Sequence, residues 1–206
     1  MGKHVEYRPE WVREDFIDFL AEKVNPLWAW KKAKARIVAK HHLSDDFLYM
    51  QLQPNHHFKA TDYQAGQSIL VTVLIAGVRW QRSYSIVEIL ENGNLVIAVK
   101  QQGKVSNALT QQPVKSVVEI SQTQGEFVLK TQPHSALMIA SGSGITAIYA
   151  LIKAALKRPQ TVSNIDLIYF TRDDSFHAEL QQLTEHYPQF KYHHVNTRTH
   201  KQHLSQ

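Results

Sequence analysis

The sequence predicts an antiparallel β-sandwich or barrel followed by half of a doubly wound parallel α/β sheet. Three observations carry this. Between residues 35 and 133, short segments rich in β-branched and large apolar residues recur, separated by turn-forming residues. From residue 134 the texture changes to continuous apolar runs alternating with helix-like stretches, as in parallel strands buried on both faces. A chain of 206 residues with a hydrophobic fraction of 43% can build one or two packed domains without staples. The expected organisation is a helical extension over 1–34, a β domain over 35–133, and an α/β domain over 134–206 that is incomplete at its C-terminal end.

Pro9 to Val24 reads as a helix, because Trp11, Phe16, Phe19 and Leu20 recur at helical spacing. Pro9 suits a first turn, and Asn25-Pro26 ends the pattern. Leu27, Trp28 and Trp30 then precede the basic run Lys31 to Arg36. Aromatics beside lysines suit either a membrane surface or packing on a core or partner. The carboxylates Glu10, Glu14, Asp15, Asp18 and Glu22 favour packing, since anionic lipid would repel them.

The β segments are Arg36–Lys40, Phe47–Leu52, Ser68–Leu74, Arg82–Ile86, Leu95–Lys100, Val117–Ser121 and Phe127–Leu129. Ser44-Asp45-Asp46, Asn92-Gly93-Asn94 and Gln124-Gly125 mark turns between them. Beyond residue 134, strands are expected at Ala136–Ala140, Asp166–Phe170 and Phe190–Val195. Helices are expected at Ile145–Lys157 and Phe176–Tyr187. The order β-α-β-α-β is half of a doubly wound sheet.

Composition excludes several kinds of chemistry. With no cysteine there is no disulfide, thiolate zinc site, cysteine nucleophile or cysteine-ligated cluster within the chain. Residues 1–20 carry charges throughout and lack the apolar core of a signal peptide. Ser135 to Ile152 is an uncharged run of 18 residues, but its Gly/Ser centre reads as strand, loop, helix rather than a membrane span. Lys plus Arg is 23 against 18 Asp plus Glu, a net charge of +5, without any RNA-binding or zinc-finger pattern. The expectation is a mildly basic cytoplasmic protein with no nucleic-acid partner. Paired histidines (His41-His42, His56-His57, His193-His194) would alternate faces on strands and so would not share a metal.

The sharpest motif is Gly142-Ser143-Gly144-Ile145-Thr146-Ala147, between an expected strand and an expected helix. It fits the dinucleotide fingerprint G-x-G-x-x-A. Its glycines permit close approach of backbone to phosphate, and the helix start supplies free N–H groups. Where a reader of a 2′-hydroxyl would place Asp or Glu, this chain has Thr171-Arg172. A hydroxyl beside a guanidinium suits a 2′-phosphate, unless Arg172 pairs with Asp173 or Asp174. In the β region, Arg82-Ser83-Tyr84-Ser85 places Arg82 and Tyr84 on one strand face. Gly103-Lys104-Val105-Ser106 reads as a loop able to offer N–H groups, a hydroxyl and a charge to phosphate.

Taken in order, Gly66-Gln67, Arg-x-Tyr-Ser, Gly-x-x-Ser, Gly125-Glu126-Phe127 and Gly-Ser-Gly-Ile-Thr resemble the ferredoxin–NADP reductase superfamily, from about Ala35 to Arg172. The N-terminal tryptophans look most like reductases serving fatty-acid desaturases or hydroxylases. The resemblance implies a six-stranded flavin-binding barrel before the nucleotide-binding domain. It implies that Arg82 contacts the flavin's phosphate, that Tyr84 packs on the isoalloxazine, and that Ser85 lies near its reactive edge. Gly103, Lys104, Val105 and Ser106 would cradle the pyrophosphate. Gly142, Gly144 and Thr146 would face the nicotinamide nucleotide, with Thr146 near the flavin, and Thr171 and Arg172 would hold the 2′-phosphate. Tyr84, Ser85 and Thr146 would thus stand at the chemistry. The cofactors implied are FAD, with FMN as the alternative, and NADPH. The reaction implied is hydride transfer from NADPH to flavin N5, then single-electron release to an iron–sulfur protein or similar acceptor.

Two departures stand out. Ala147 replaces the proline usual after Gly-Ile-Thr, and neither the Cys-Gly-Pro element nor a cysteine-rich cluster domain is present. The alternative function is therefore a flavin-binding or interaction remnant without turnover.

Overall fold

The computed structural model describes residue 20 and residues 23–28, 31–129, 134–157 and 163–197. Nearly all of the expected helix at 9–24 lies outside these. Six strands form a closed antiparallel barrel: β1 (Lys34–Ser44), β2 (Phe47–Pro54), β3 (Ser68–Ile75), β4 (Val78–Ile89), β5 (Leu95–Lys100) and β6 (Val117–Ile120). They run in the order β1-β2-β5-β4-β3-β6. Closure leaves the barrel no free edge. One helix, α1 (Lys104–Gln111), leaves the end of β5. A parallel sheet follows, with β7 (Ser135–Ser141), β8 (Asn164–Thr171) and β9 (Phe190–Asn196) in the order β7-β8-β9. Its crossovers are α2 (Ile145–Leu156) and α3 (His177–His186). The 18-residue uncharged run is thus strand, turn and helix, and no helix of the described residues is long and apolar enough to cross a membrane.

Strand alternation ties the two units together. Along β2, Leu48, Met50 and Leu52 point into the barrel, while Phe47 and Tyr49 point outward. Along β5, Leu95, Ile97 and Val99 point inward, and Val96 and Ala98 outward. The outward set packs with Ile145 and Ile152 of α2 and Leu167 and Tyr169 of β8 in a second core. That is why β5 reads as a nearly continuous apolar run. Helices α2 and α3 lie on one face of the parallel sheet. On the opposite face, Leu137 and Ile139 of β7 are 65% and 60% exposed.

Two expectations are corrected. Phe127–Leu129 is not a strand. Phe127 is exposed, and this segment crosses Gly66 so closely that a Cβ there would lie 2.0 Å from the Phe127 carbonyl oxygen. Gly66 also has φ +94°, so glycine is required on both counts. Gly103–Ser106 is not a free loop either; it is the start of α1, with Gly103 at φ +95° as the residue before the helix. Of the paired histidines, two pairs lie on strands and His56-His57 lies in a turn. Among the described residues no group of three or more His, Cys, Asp or Glu could hold a metal.

Candidate functional site

A cleft of about 430 Å³ opens between the barrel and the start of α2. Its barrel wall is one face of β4. Trp80, Arg82 and Tyr84 stand two residues apart, so their side chains follow one another along that face. Ser83 and Ser85 also border the cleft, but the Ser83 hydroxyl is turned to Ser68 on β3, 2.8 Å away. The floor is β5 and the first turn of α1, with Lys100, Gln102 and residues 103–106. The far wall is Ser143, Gly144, Thr146 and Ala147. The structure therefore brings Arg82, Tyr84, Ser85, Gly103, Lys104, Val105, Ser106, Gly144 and Thr146 to one cavity, from segments up to 64 residues apart.

Local structure explains what each can offer. The Val105 side chain is buried in the barrel core. The Ser106 hydroxyl donates to the Gln102 carbonyl at 2.8 Å and accepts from the Gln102 N–H at 3.2 Å. Both side chains thus shape the turn, and the helix start offers backbone N–H groups, which lack intrahelical partners in a first turn. Lys40 of β1 holds the other end of α1, donating to the carbonyls of Thr110, at 2.7 Å, and Gln112. Lys104 lies with its Nζ 4.4 Å over the Trp80 ring. Thr146 donates to the Ser143 carbonyl at 3.0 Å, which ties the glycine turn to α2. Gly142 does not border the cleft. With φ +52° it makes the turn, and its carbonyl accepts the Tyr169 hydroxyl at 3.2 Å.

Tyr84 is the most informative residue. Its hydroxyl oxygen is buried and has no hydrogen-bond partner. Burial pushes its phenol up to about 12, partly offset by the charge of Arg82. A buried polar atom without a partner costs free energy, and most such atoms in proteins are satisfied. A ligand with an acceptor or donor on the Tyr84 ring, and an anion between Arg82 and the α1 start, would fit this wall. A flavin nucleotide is such a ligand.

Thr171 and Arg172 lie elsewhere, at the C-terminal end of β8. Thr171 is buried, and its hydroxyl donates to Asp173 at 3.2 Å. Arg172 is exposed, and no described ion pair joins it to Asp173 or Asp174. Asp173 instead takes Lys100 of the barrel, at 3.2 Å. The sequence reading missed Trp80, Lys100, Gln102 and Ser143. The same period-two argument that pairs Arg82 with Tyr84 reaches Trp80, whereas nothing local marks Lys100.

A flavin-type barrel joined through one cleft to a glycine-turn nucleotide sheet defines a two-unit redox-nucleotide binder. Residues 34–129 match the oxidoreductase FAD-binding domain family, and residues 138–205 match the oxidoreductase NAD-binding domain family. An NADPH oxidoreductase of Mycobacterium tuberculosis is 30% identical over 179 residues, covering 81% of this chain and 46% of the relative. An NADH-cytochrome b5 reductase 1 of Mortierella alpina is 26% identical over 182 residues, covering 85% and 61%. The flavohemoglobin of Malassezia yamatoensis, solved with FAD and heme, shares the fold at a TM-score of 0.73 and 21% identity, covering 81% of this chain and 46% of that one. The chain belongs to the ferredoxin–NADP reductase superfamily. It spans about half the length of the curated relatives it matches.

Proposed function

We propose that this chain is the FAD- and nucleotide-binding core of an NADPH-dependent oxidoreductase that passes electrons to a one-electron acceptor. The observation that carries the reading is the single cleft joining the β4 wall, the α1 start and the Gly144–Thr146 turn. FAD, when bound, supplies the conversion of a two-electron donor into one-electron steps. The protein's part is binding and orientation. The guanidinium of Arg82 and the N–H groups of residues 104–106 hold phosphate. Tyr84 offers its ring face and its unpaired hydroxyl. Ser85 and Thr146 border the space in which the two nucleotides meet. The exposed guanidinium of Arg172 favours a 2′-phosphate, hence NADPH, while the buried Thr171, its hydroxyl held by Asp173, fixes the turn that carries it.

The named relatives widen the range of acceptors. An iron–sulfur protein suits the resemblance to desaturase and hydroxylase reductases, while relatives named for cytochrome b5 and heme support a heme acceptor equally well. Action in the cytoplasm belongs to the same proposal. Addition of FAD to the purified protein should give a yellow complex at micromolar cofactor, and NADPH should then reduce an artificial acceptor through it. Absence of any FAD complex refutes the reading. One observation favours a second reading. Among the described residues the nucleotide sheet has three strands, and Leu137 and Ile139 of its edge strand β7 stay exposed. FAD binding without NADPH turnover would assign the chain to a flavin-binding module.

A further inference from the structure

We propose that Lys100, a residue of the barrel, is a positioning residue for the turn of the other unit that presents Arg172, an inference that rests on the NADPH reading above. The turn between β8 and α3 is docked on the barrel at three of its residues. Asp173 accepts from Lys100 Nζ at 3.2 Å, and the same ammonium lies 3.4 Å from Asp46 in the β1–β2 turn. Ser175, fully buried, shares a 2.8 Å hydrogen bond with Ser44 of β1. Phe176, also fully buried, meets Phe47 and Tyr49 of β2 edge-on, at 5.5 and 5.6 Å between ring centroids. Its φ of +64° is unusual for a bulky residue and persists only where packing holds it.

Asp173 is the hub. One carboxylate oxygen, Oδ1, accepts from the Ser175 N–H at 2.9 Å, from the Ser175 hydroxyl and from Thr171 Oγ1. The other, Oδ2, takes Lys100. The turn is therefore folded around one carboxylate whose charge is answered from the barrel. Burial works against that charge, but the Ser175 hydroxyl and N–H and then Lys100 outweigh it and hold Asp173 below its usual value. Two consequences follow for Arg172. Its neighbouring carboxylate is already engaged, which leaves the guanidinium exposed. Its backbone is also fixed between a buried Thr171 and an anchored Asp173. A cation that lines the cofactor cleft thus sets the geometry of a turn outside that cleft.

The test uses the FAD-saturated full chain with Lys100→Met, Lys100→Arg and Asp173→Asn. Asn keeps an acceptor for Ser175 and Thr171 but removes the charge that faces Lys100. Amide hydrogen exchange over residues 171–177 should accelerate about tenfold or more in Lys100→Met and Asp173→Asn, as a local opening would. Lys100→Arg should stay near wild type. The affinity ratio of 2′-phospho-AMP to AMP should fall about fivefold in the first two variants and recover in the third. If Lys100→Met fails to fold, Asp173→Asn carries the same comparison. Unchanged exchange in both, or equal loss in Lys100→Met and Lys100→Arg, overturns the assignment. A wild-type ratio near one refutes the NADPH reading instead, and the exchange result still decides the role of Lys100.

Discussion

Tyr84→Phe should act with opposite sign on the empty and the FAD-bound protein. In the structure the Tyr84 hydroxyl is buried without a partner. Such a group forfeits its hydration and gains nothing, at a cost of about 1–3 kcal/mol. Removing it while keeping the ring leaves packing intact. The cofactor-free variant should be as stable as wild type or more stable by about 1 kcal/mol. If FAD supplies the missing partner, the wild-type protein recovers that cost on binding and the variant does not. FAD affinity should then fall by about 1–2 kcal/mol, or roughly five- to thirtyfold. Because burial pushes the phenol up to about 12, both measurements at neutral pH compare a neutral hydroxyl with no hydroxyl. Urea unfolding of the cofactor-free chains gives the first quantity, and quenching of flavin fluorescence on titration gives the second. A destabilised empty variant that binds FAD as tightly as wild type would refute the reasoning.

Arg172→Ala should abolish most of the preference for 2′-phospho-AMP over AMP, by about 1.5–3 kcal/mol, while FAD binding stays unchanged. Glu88 of β4 pairs with Lys153 of α2 and with Lys157 just beyond the helix end. Burial raises its pKa, but Lys153 and then Lys157 outweigh burial and lower it from 4.5. The stability it contributes is therefore present above pH 4.5 and lost as pH falls through the depressed value. Glu88→Gln should destabilise at pH 7 by an amount between the under about 1 kcal/mol of an exposed pair and the about 3–5 of a buried one, with the gap closing in acid unfolding curves. Lys40→Met should uncap the C-terminal end of α1, at a cost of about 1–2 kcal/mol in thermal unfolding, and loosen FAD binding severalfold. Gly66→Ala should cost about 3 kcal/mol or more, read as lost soluble yield or a lowered melting temperature, since the new Cβ would meet the Phe127 carbonyl.

Features set by local chemistry were legible in the sequence. Turn residues and β-branched runs located all six barrel strands, and β5 was bounded to the residue at Leu95–Lys100. The glycine turn between strand and helix stood out because its motif is contiguous. Where the reading failed, the determinant was not local. The strand β4 begins at Val78 rather than Arg82, because Ala76 and Gly77 both take positive φ and make a two-residue turn. Nothing about an alanine announces that. The start of α1 reads in sequence as a loop, because Gly103 and Ser106 look like loop residues. Their work is to start a helix whose apolar side, Val105 and Leu109, fills the barrel. Phe127–Leu129 has the composition of a strand, yet the barrel closes without it. Lys100 was invisible because its partners, Asp46 and Asp173, come from distant parts of the chain.

The second core has no wall of its own on one side. Phe47, Val87 and Ala98 belong by sequence to the barrel, yet they are buried among Ile145, Ile152 and Tyr169 of the nucleotide-binding unit. A cut near residue 133 would follow the change in sequence texture and still sever a continuous apolar interior. The nucleotide-binding unit is thus not a portable module. Grafted onto a related barrel, it would need that barrel's outer β2, β4 and β5 residues matched in volume, or a cavity would open where Phe47 now meets Phe176. Relatives that exchange these units must exchange the outward faces of three strands along with them.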